Sequence, residues 1–213
     1  MEIDKRMKIR SDSKSIALLA VFSSIIIALE IFPIPGITDL YTPAPNFTID
    51  WTGIPIVIIF AGLGIAYSFI AVIIMWVTIG YRHFDGAAFK GFAESFTLLG
   101  LVFAKLVMRN RELNWKSSTL IYVFFGALFR SIGMLFGNAF LLQLFYTSSS
   151  DAAFALSIIY IPWNLIQAII NIVGGLVLYL LIPENLKIEA GLGKYGDDQQ
   201  KFVEMSPEDI DTG

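Results

Sequence analysis

The sequence predicts an all-α integral membrane protein, a bundle of six transmembrane helices with both termini cytoplasmic, and three observations carry that prediction. Of 213 residues, 56% are hydrophobic and 15% charged, with a mean hydropathy of +0.70; a soluble domain has roughly 45–50% apolar and about 25% charged residues. The apolar residues gather in six runs separated by proline, glycine and charge, and a spanning helix needs about 20 mostly apolar residues. Lysine and arginine fall almost entirely on one side of those runs, as cytoplasmic loops do. Disorder, collagen, a coiled coil and an ordinary cytosolic enzyme are excluded. With no cysteine and a single histidine, His83, disulfides, thiolate metal sites and a histidine-built zinc centre are excluded too.

Three segments follow. A basic head, 1–14, carries Lys5, Arg6, Lys8, Arg10 and Lys14; the membrane domain covers 15–183; an acidic tail, 184–213, reads as solvated and disordered. A basic head before an apolar run also marks secretory signals, but no small-x-small cleavage site follows Leu29-Glu30-Ile31-Phe32-Pro33, so the run is expected to be a retained helix.

The first span runs from Ser15 to Phe32, where Pro33, Pro35 and Gly36 end it. Residues 33–46 hold four prolines and are expected to form a stiff non-helical loop. The second stretch, Phe47 to Ala61, opens on the polar break Thr48-Ile49-Asp50-Trp51-Thr52-Gly53 and contains Pro55. It is short for a span, and its start is expected to face a cavity. Gly62-Leu63-Gly64 turns into the third, Ile65 to Gly80; the fourth is Gly86 to Met108, before the charged link 109–116. The fifth spans Ser117 to Tyr146 and the sixth Ala152 to Ile182, stopped by Pro183. At about 45 Å each, the last two must tilt or protrude from a hydrocarbon core of about 30 Å.

Six spans put both termini on one side. That side receives eleven basic residues and the other only Arg82 and Lys90; Lys105 and Arg130 fall within spans. Lys105 lies near an inner end, where its stem can snorkel; Arg130 is deeper. With this topology the intramembrane polar groups concentrate in the outer half: Glu30, Asp50, Glu94, Asn138, Gln143, Asn164, Gln167 and Asn171. Polar side chains in lipid are costly and face a bundle interior, a partner or a water-filled cavity, so the asymmetry points to a pocket opening outwards.

Asn164, Gln167 and Asn171 stand at i, i+3 and i+7, on one helical face. Pro162, two residues earlier, removes a backbone donor and frees a carbonyl, as happens where a helix lines a site. The amides either contact a ligand or join helices to one another. Trp51 and Trp163 either stack on a ligand or sit at membrane interfaces. Glu94 and Arg130 can pair inside the bundle, since an unpaired buried charge is very expensive.

No metalloprotease, nucleophile-elbow or P-loop motif is present. The chain is therefore expected not to be an enzyme, to need no cofactor, and to draw energy for any active transport from a partner or an ion gradient. Small residues mark a second surface: Ala17, Ala20, Ser24 and Ala28 on the first helix, and Gly133 and Gly137 on the fifth. Such stripes let another helix approach closely, within the bundle or from outside it.

Taken together, these residues resemble the substrate-capture subunit (S component) of energy-coupling-factor vitamin transporters, most of all its riboflavin-binding branch. The resemblance covers about residues 15 to 183. It rests on the stripe Ala17, Ala20, Ser24, Ala28; the proline-rich outer loop leading into Phe47-Thr48-Ile49-Asp50-Trp51-Thr52-Gly53-Ile54-Pro55; the glycine-rich turn Gly62-Leu63-Gly64; Asn138 followed by aromatics to Tyr146; and Pro162-Trp163-Asn164-Leu165-Ile166-Gln167-Ala168. Two positions depart from that pattern: Gln167 stands where the family usually has lysine, and Ala168 where it has glycine.

The resemblance implies a vitamin, such as riboflavin, bound in the outer half beneath the proline-rich loop. Asp50, Trp51, Glu94, Asn138, Trp163, Asn164, Gln167 and Asn171 are the candidate binding residues. It implies docking through Ala17, Ala20, Ser24 and Ala28 onto a transmembrane coupling protein powered by two ATP-binding subunits. The expected surroundings are the lipid bilayer of the cell membrane, and no nucleic-acid partner is expected. The competing class is a self-sufficient gradient-driven carrier or channel, for which only Glu94 and Arg130 are titratable groups at sufficient depth.

Overall fold

A computed structural model of the protein describes residues 12–109, 113–146 and 149–192. The chain runs α1 (Ser13–Ile31), β1 (Asp39–Tyr41), β2 (Thr48–Asp50), α2 (Gly53–Gly62), α3 (Ile65–Gly80), α4 (Phe84–Met108), α5 (Trp115–Phe145), α6 (Ser150–Leu181) and α7 (Glu184–Ala190). Helices α1, α4, α5 and α6 are long and apolar enough to cross a membrane; α2 and α3 are apolar but shorter. At ten residues, α2 is about 15 Å long, half a hydrocarbon core. Among the described residues four helices are of crossing length and two more are apolar but shorter, so two of the six predicted spans fall below the usual crossing length.

The expectation of an all-α fold needs one correction. Strands β1 and β2 pair antiparallel, Asp39 opposite Asp50 and Tyr41 opposite Thr48, so the stretch predicted as Phe47 to Ala61 divides into a strand, a turn and α2. Between the strands Asn46 adopts φ 54°, a left-handed conformation that asparagine tolerates better than most residues. The Thr42 hydroxyl donates to the Phe47 carbonyl at 2.7 Å and closes the loop.

Residues 184–190, expected to belong to a disordered tail, form α7 instead. Gly191 ends it at φ 71°, and the Leu192 N–H donates to the Lys187 carbonyl at 2.8 Å. Leu192 is buried and packs on Gly62 and Tyr179, while Lys14 donates to the Glu189 carbonyl at 2.9 Å. The start of α1, the α2–α3 turn and the end of α6 thus share one end of the bundle. The basic head up to residue 11 and the tail beyond 192 lie outside the described residues.

At the opposite end, Arg82 donates to the Glu30 carbonyl at 2.6 Å and Phe84 meets Phe145 edge-on. The helices pack closely where glycine removes a side chain. A Cβ on Gly100 would strike the Phe125 carbonyl and lie 2.7 Å from Gly126 Cα, joining α4 to α5. Gly175 does the same for α6 against Val57 of α2. Gly133 lies under the Phe96 ring and Gly137 faces Met134 and Phe92, so the glycine pair of α5 packs within the bundle.

The surface is unlike that of a water-soluble protein, and polar groups are buried beside the apolar core. Leu120, Phe124, Phe136, Phe140, Leu144, Val77 and Leu181 are exposed, while Glu94, Arg130, Asn138, Asn164, Gln167 and Asn171 are buried. So large an exposed apolar surface is untenable in water and suits hydrocarbon. The apolar core, with Ile56, Ile59, Met75, Leu101, Ile172, Leu176 and Tyr179, carries only packing, which leaves the buried polar groups as the chemically distinctive feature.

Candidate functional site

The site is built around an ion pair between α4 and α5. The Arg130 guanidinium donates to Glu94 Oε1 at 2.6 Å and to the Thr97 hydroxyl at 3.1 Å. Arg130 and Glu94 side chains are 5% and 2% exposed, so each charge is compensated within the bundle. Both come from helices held together at Gly100 and Gly126, which sets how far the guanidinium has to reach.

Helix α6 lays its amides along this pair. Asn164 accepts from Arg130 Nε at 3.3 Å and donates to the Tyr160 carbonyl at 3.1 Å. Asn171 donates to Glu94 Oε1 at 3.1 Å and accepts from Gln167 Nε2 at 2.9 Å. Gln167 continues the run outwards: its Oε1 accepts the Asp50 N–H at 3.0 Å and its Nε2 donates to the Asp50 carbonyl at 2.7 Å. The helical spacing that puts the three amides on one face therefore connects the deep ion pair to the hairpin. Gly53, the first residue of α2, packs directly on the Asn171 side chain, and any larger residue would push it aside.

A second charge cluster lies under the hairpin. Lys90 of α4 forms ion pairs with Glu30 of α1 and, at 3.1 Å, with Asp50 of β2. Thr52 bridges them, donating to Glu30 Oε1 at 2.7 Å and accepting from Lys90 Nζ at 3.2 Å. Burial pushes the Asp50 carboxyl up, yet the Lys90 ammonium and the Thr52 amide and hydroxyl outweigh it and hold Asp50 below the ordinary carboxylate range. Asp39, across the hairpin, is pushed up by burial and by repulsion from Asp50.

Aromatic and apolar groups form the remaining wall. Ala44, Leu142, Ala153 and Tyr160 are buried together, with Phe47, Phe89, Leu156 and Trp163 packed on them. The Tyr160 hydroxyl donates to the Pro45 carbonyl at 2.9 Å, tying α6 to the proline-rich loop. Asn138 of α5 is 2% exposed, and its Nδ2 has no hydrogen-bond partner among the described residues.

Of the eight residues predicted for binding, Asp50, Glu94, Asn164, Gln167 and Asn171 join one network. Asn138 is buried outside it, Trp163 belongs to the aromatic wall, and the Trp51 indole N–H donates to the Ile37 carbonyl. Ala17, Ala20, Ser24 and Ala28 are exposed along α1. Sequence reasoning passed over Lys90, Thr52 and Tyr160 as site residues. Lys90 carried a readable signal, since a lysine one turn from Glu94 on an apolar helix is costly unless paired. Thr52 and Tyr160 acquire their roles only through contacts across the fold.

No family model matches the chain, and no curated protein matches it significantly. Among solved structures, the fold is similar to that of the S-component for biotin from an ECF-type ABC transporter, with a TM-score of 0.52 and 20% identity over 82% of this chain and 95% of that one.

Proposed function

We propose that this chain is the substrate-capture subunit of an energy-coupling-factor vitamin importer, embedded in the cell membrane with both termini cytoplasmic. One observation carries the proposal: a buried polar network lies under a proline-rich hairpin at one end of a bundle whose outer surface is apolar. The similarity of fold to a biotin S-component and the sequence resemblance described above support the same reading. The ligand enters from the hairpin end, with its ring against the aromatic wall of Phe47, Phe89 and Trp163 and its polar groups toward Asn138, Asn164 and the rim of the ion-pair network. Asn138 has a donor to offer. The sequence motifs favour a flavin such as riboflavin, and the structural neighbour brings biotin into consideration.

Without a P-loop the subunit relies on a transmembrane coupling protein and two ATP-binding subunits, docked against the exposed stripe Ala17, Ala20, Ser24 and Ala28. The gradient-driven alternative would have to rest on Glu94 and Arg130, the charged groups at sufficient depth. Their mutual pairing at 2.6 Å favours a static ion pair. Uptake into proteoliposomes tests the proposal. Transport is expected only with a coupling module and internal ATP; uptake driven by an ion gradient with no ATPase present would refute it.

A further inference from the structure

The amide run is continuous from the hairpin to the ion pair: we infer that Asn171 is a positioning residue that couples the outer hairpin to the deep Glu94–Arg130 pair. The connection is a chain of buried hydrogen bonds, from the Asp50 backbone to Gln167, from Gln167 to Asn171 at 2.9 Å, from Asn171 to Glu94 at 3.1 Å and from Glu94 to Arg130 at 2.6 Å. Gln167 Nε2 serves both the Asp50 carbonyl and Asn171 Oδ1. Its orientation is therefore fixed jointly by Asp50 and by where Asn171 stands. Asn171 in turn is held from two sides, by Glu94 Oε1 and by the bare Cα of Gly53.

Gln167 is 1% exposed and Asn171 0%, so water cannot replace a lost partner, and an unpaired group bears its desolvation cost in full. Removing Asn171 takes away one of the three hydrogen bonds of the Gln167 amide and so loosens its two bonds to Asp50, although Asn171 makes no hydrogen bond to the hairpin itself. Asn164 offers the contrast: it bonds Arg130 and the Tyr160 carbonyl, a side branch at the far end of the chain that supplies none of the bonds between Glu94 and Asp50. This inference concerns the ligand-free protein and holds whatever the chain transports.

Hydrogen–deuterium exchange of the ligand-free, full-length protein tests it, read at the Asp50 amide, whose N–H is held by Gln167. Asn171→Leu is expected to speed that exchange by about tenfold, with protection in α3 retained. Gly53→Ala, which displaces Asn171 from the opposite side, is expected to do the same, and it carries the test if Asn171→Leu fails to fold. Asn164→Leu is expected to leave Asp50 exchange unchanged. The inference is overturned if Asp50 exchange stays at the wild-type rate in folded Asn171→Leu or Gly53→Ala, or if Asn164→Leu accelerates it equally.

Discussion

Gln167 pairs with Asp50 as a neighbouring strand would, taking its N–H at 3.0 Å and giving to its carbonyl at 2.7 Å. A lysine, which the resembled family usually carries at this position, has three donors and no acceptor and could not receive the Asp50 N–H. Gln167 thereby fastens the hairpin to α6. Gln167→Lys should strand a backbone donor and place a second ammonium near Lys90. Unfolding followed in detergent is expected to show a loss of about 1–3 kcal/mol, whereas an unchanged midpoint would mean that the two hydrogen bonds contribute nothing net.

The ion pair beneath it makes a stronger demand. Arg130→Met leaves the Glu94 carboxylate buried without its cation, and a loss of about 3–5 kcal/mol is expected. Adding Glu94→Gln should recover part of that loss, because the uncompensated charge is then gone. Equal stability of the single and double variants in a denaturant titration would show that the pair is not energetically coupled.

Asp50 sets a pH limit on the hairpin. Its folded pKa lies below the ordinary value because Lys90 and Thr52 outweigh the effect of burial. The stabilisation is thus present above the unfolded carboxylate value, about pH 4, and is lost as pH falls through the lower folded value. Trp51 reports on this region, being bonded to the Ile37 carbonyl. Its fluorescence should change below about pH 4 in a transition that Asp50→Asn removes, whereas a step above that value belongs to Asp39, whose carboxyl is pushed up, and survives the substitution. A transition centred near neutrality would assign the titration to another group.

The outline of the bundle was legible in the sequence wherever hydropathy ran against glycine or proline. Helix α3 begins after Gly64, at φ 99°, and ends at Gly80, as its composition predicts. The hairpin was not legible: Thr48-Ile49-Asp50 is too short to alternate visibly, and four prolines nearby hide the pairing partner. Nor was α7, a seven-residue polar helix whose Lys187 sits over the Tyr179 ring and which is followed by Leu192 against Gly62. Within the site, the shared face of Asn164, Gln167 and Asn171 follows from helical spacing alone. That Lys90 meets Glu30 and Asp50 does not, because those contacts span 60 and 40 positions of sequence and depend on how α1, β2 and α4 converge.

The exposed small residues of α1 bear on partners. Ala20 and Ser24 are exposed, the Ser24 hydroxyl being turned back onto the Ala20 carbonyl at 2.8 Å, so the face stays smooth. Ala20→Leu with Ser24→Leu would keep another helix at a distance. Ligand binding by the isolated protein is expected to survive, and uptake in cells supplying a coupling module is expected to fail. Normal uptake by the double variant would remove α1 from the docking surface, and loss of binding would make its face part of the internal packing.

Binding of a vitamin by the purified chain is the most direct measurement. Calorimetric titration of the detergent-solubilised protein with riboflavin, biotin and related vitamins is expected to yield at least one with a Kd of about 1 µM or tighter, or about −8 kcal/mol. Asn164→Ala is expected to weaken that interaction by about 1–3 kcal/mol. Failure of every vitamin to bind folded protein that is free of co-purified ligand would contradict the capture function.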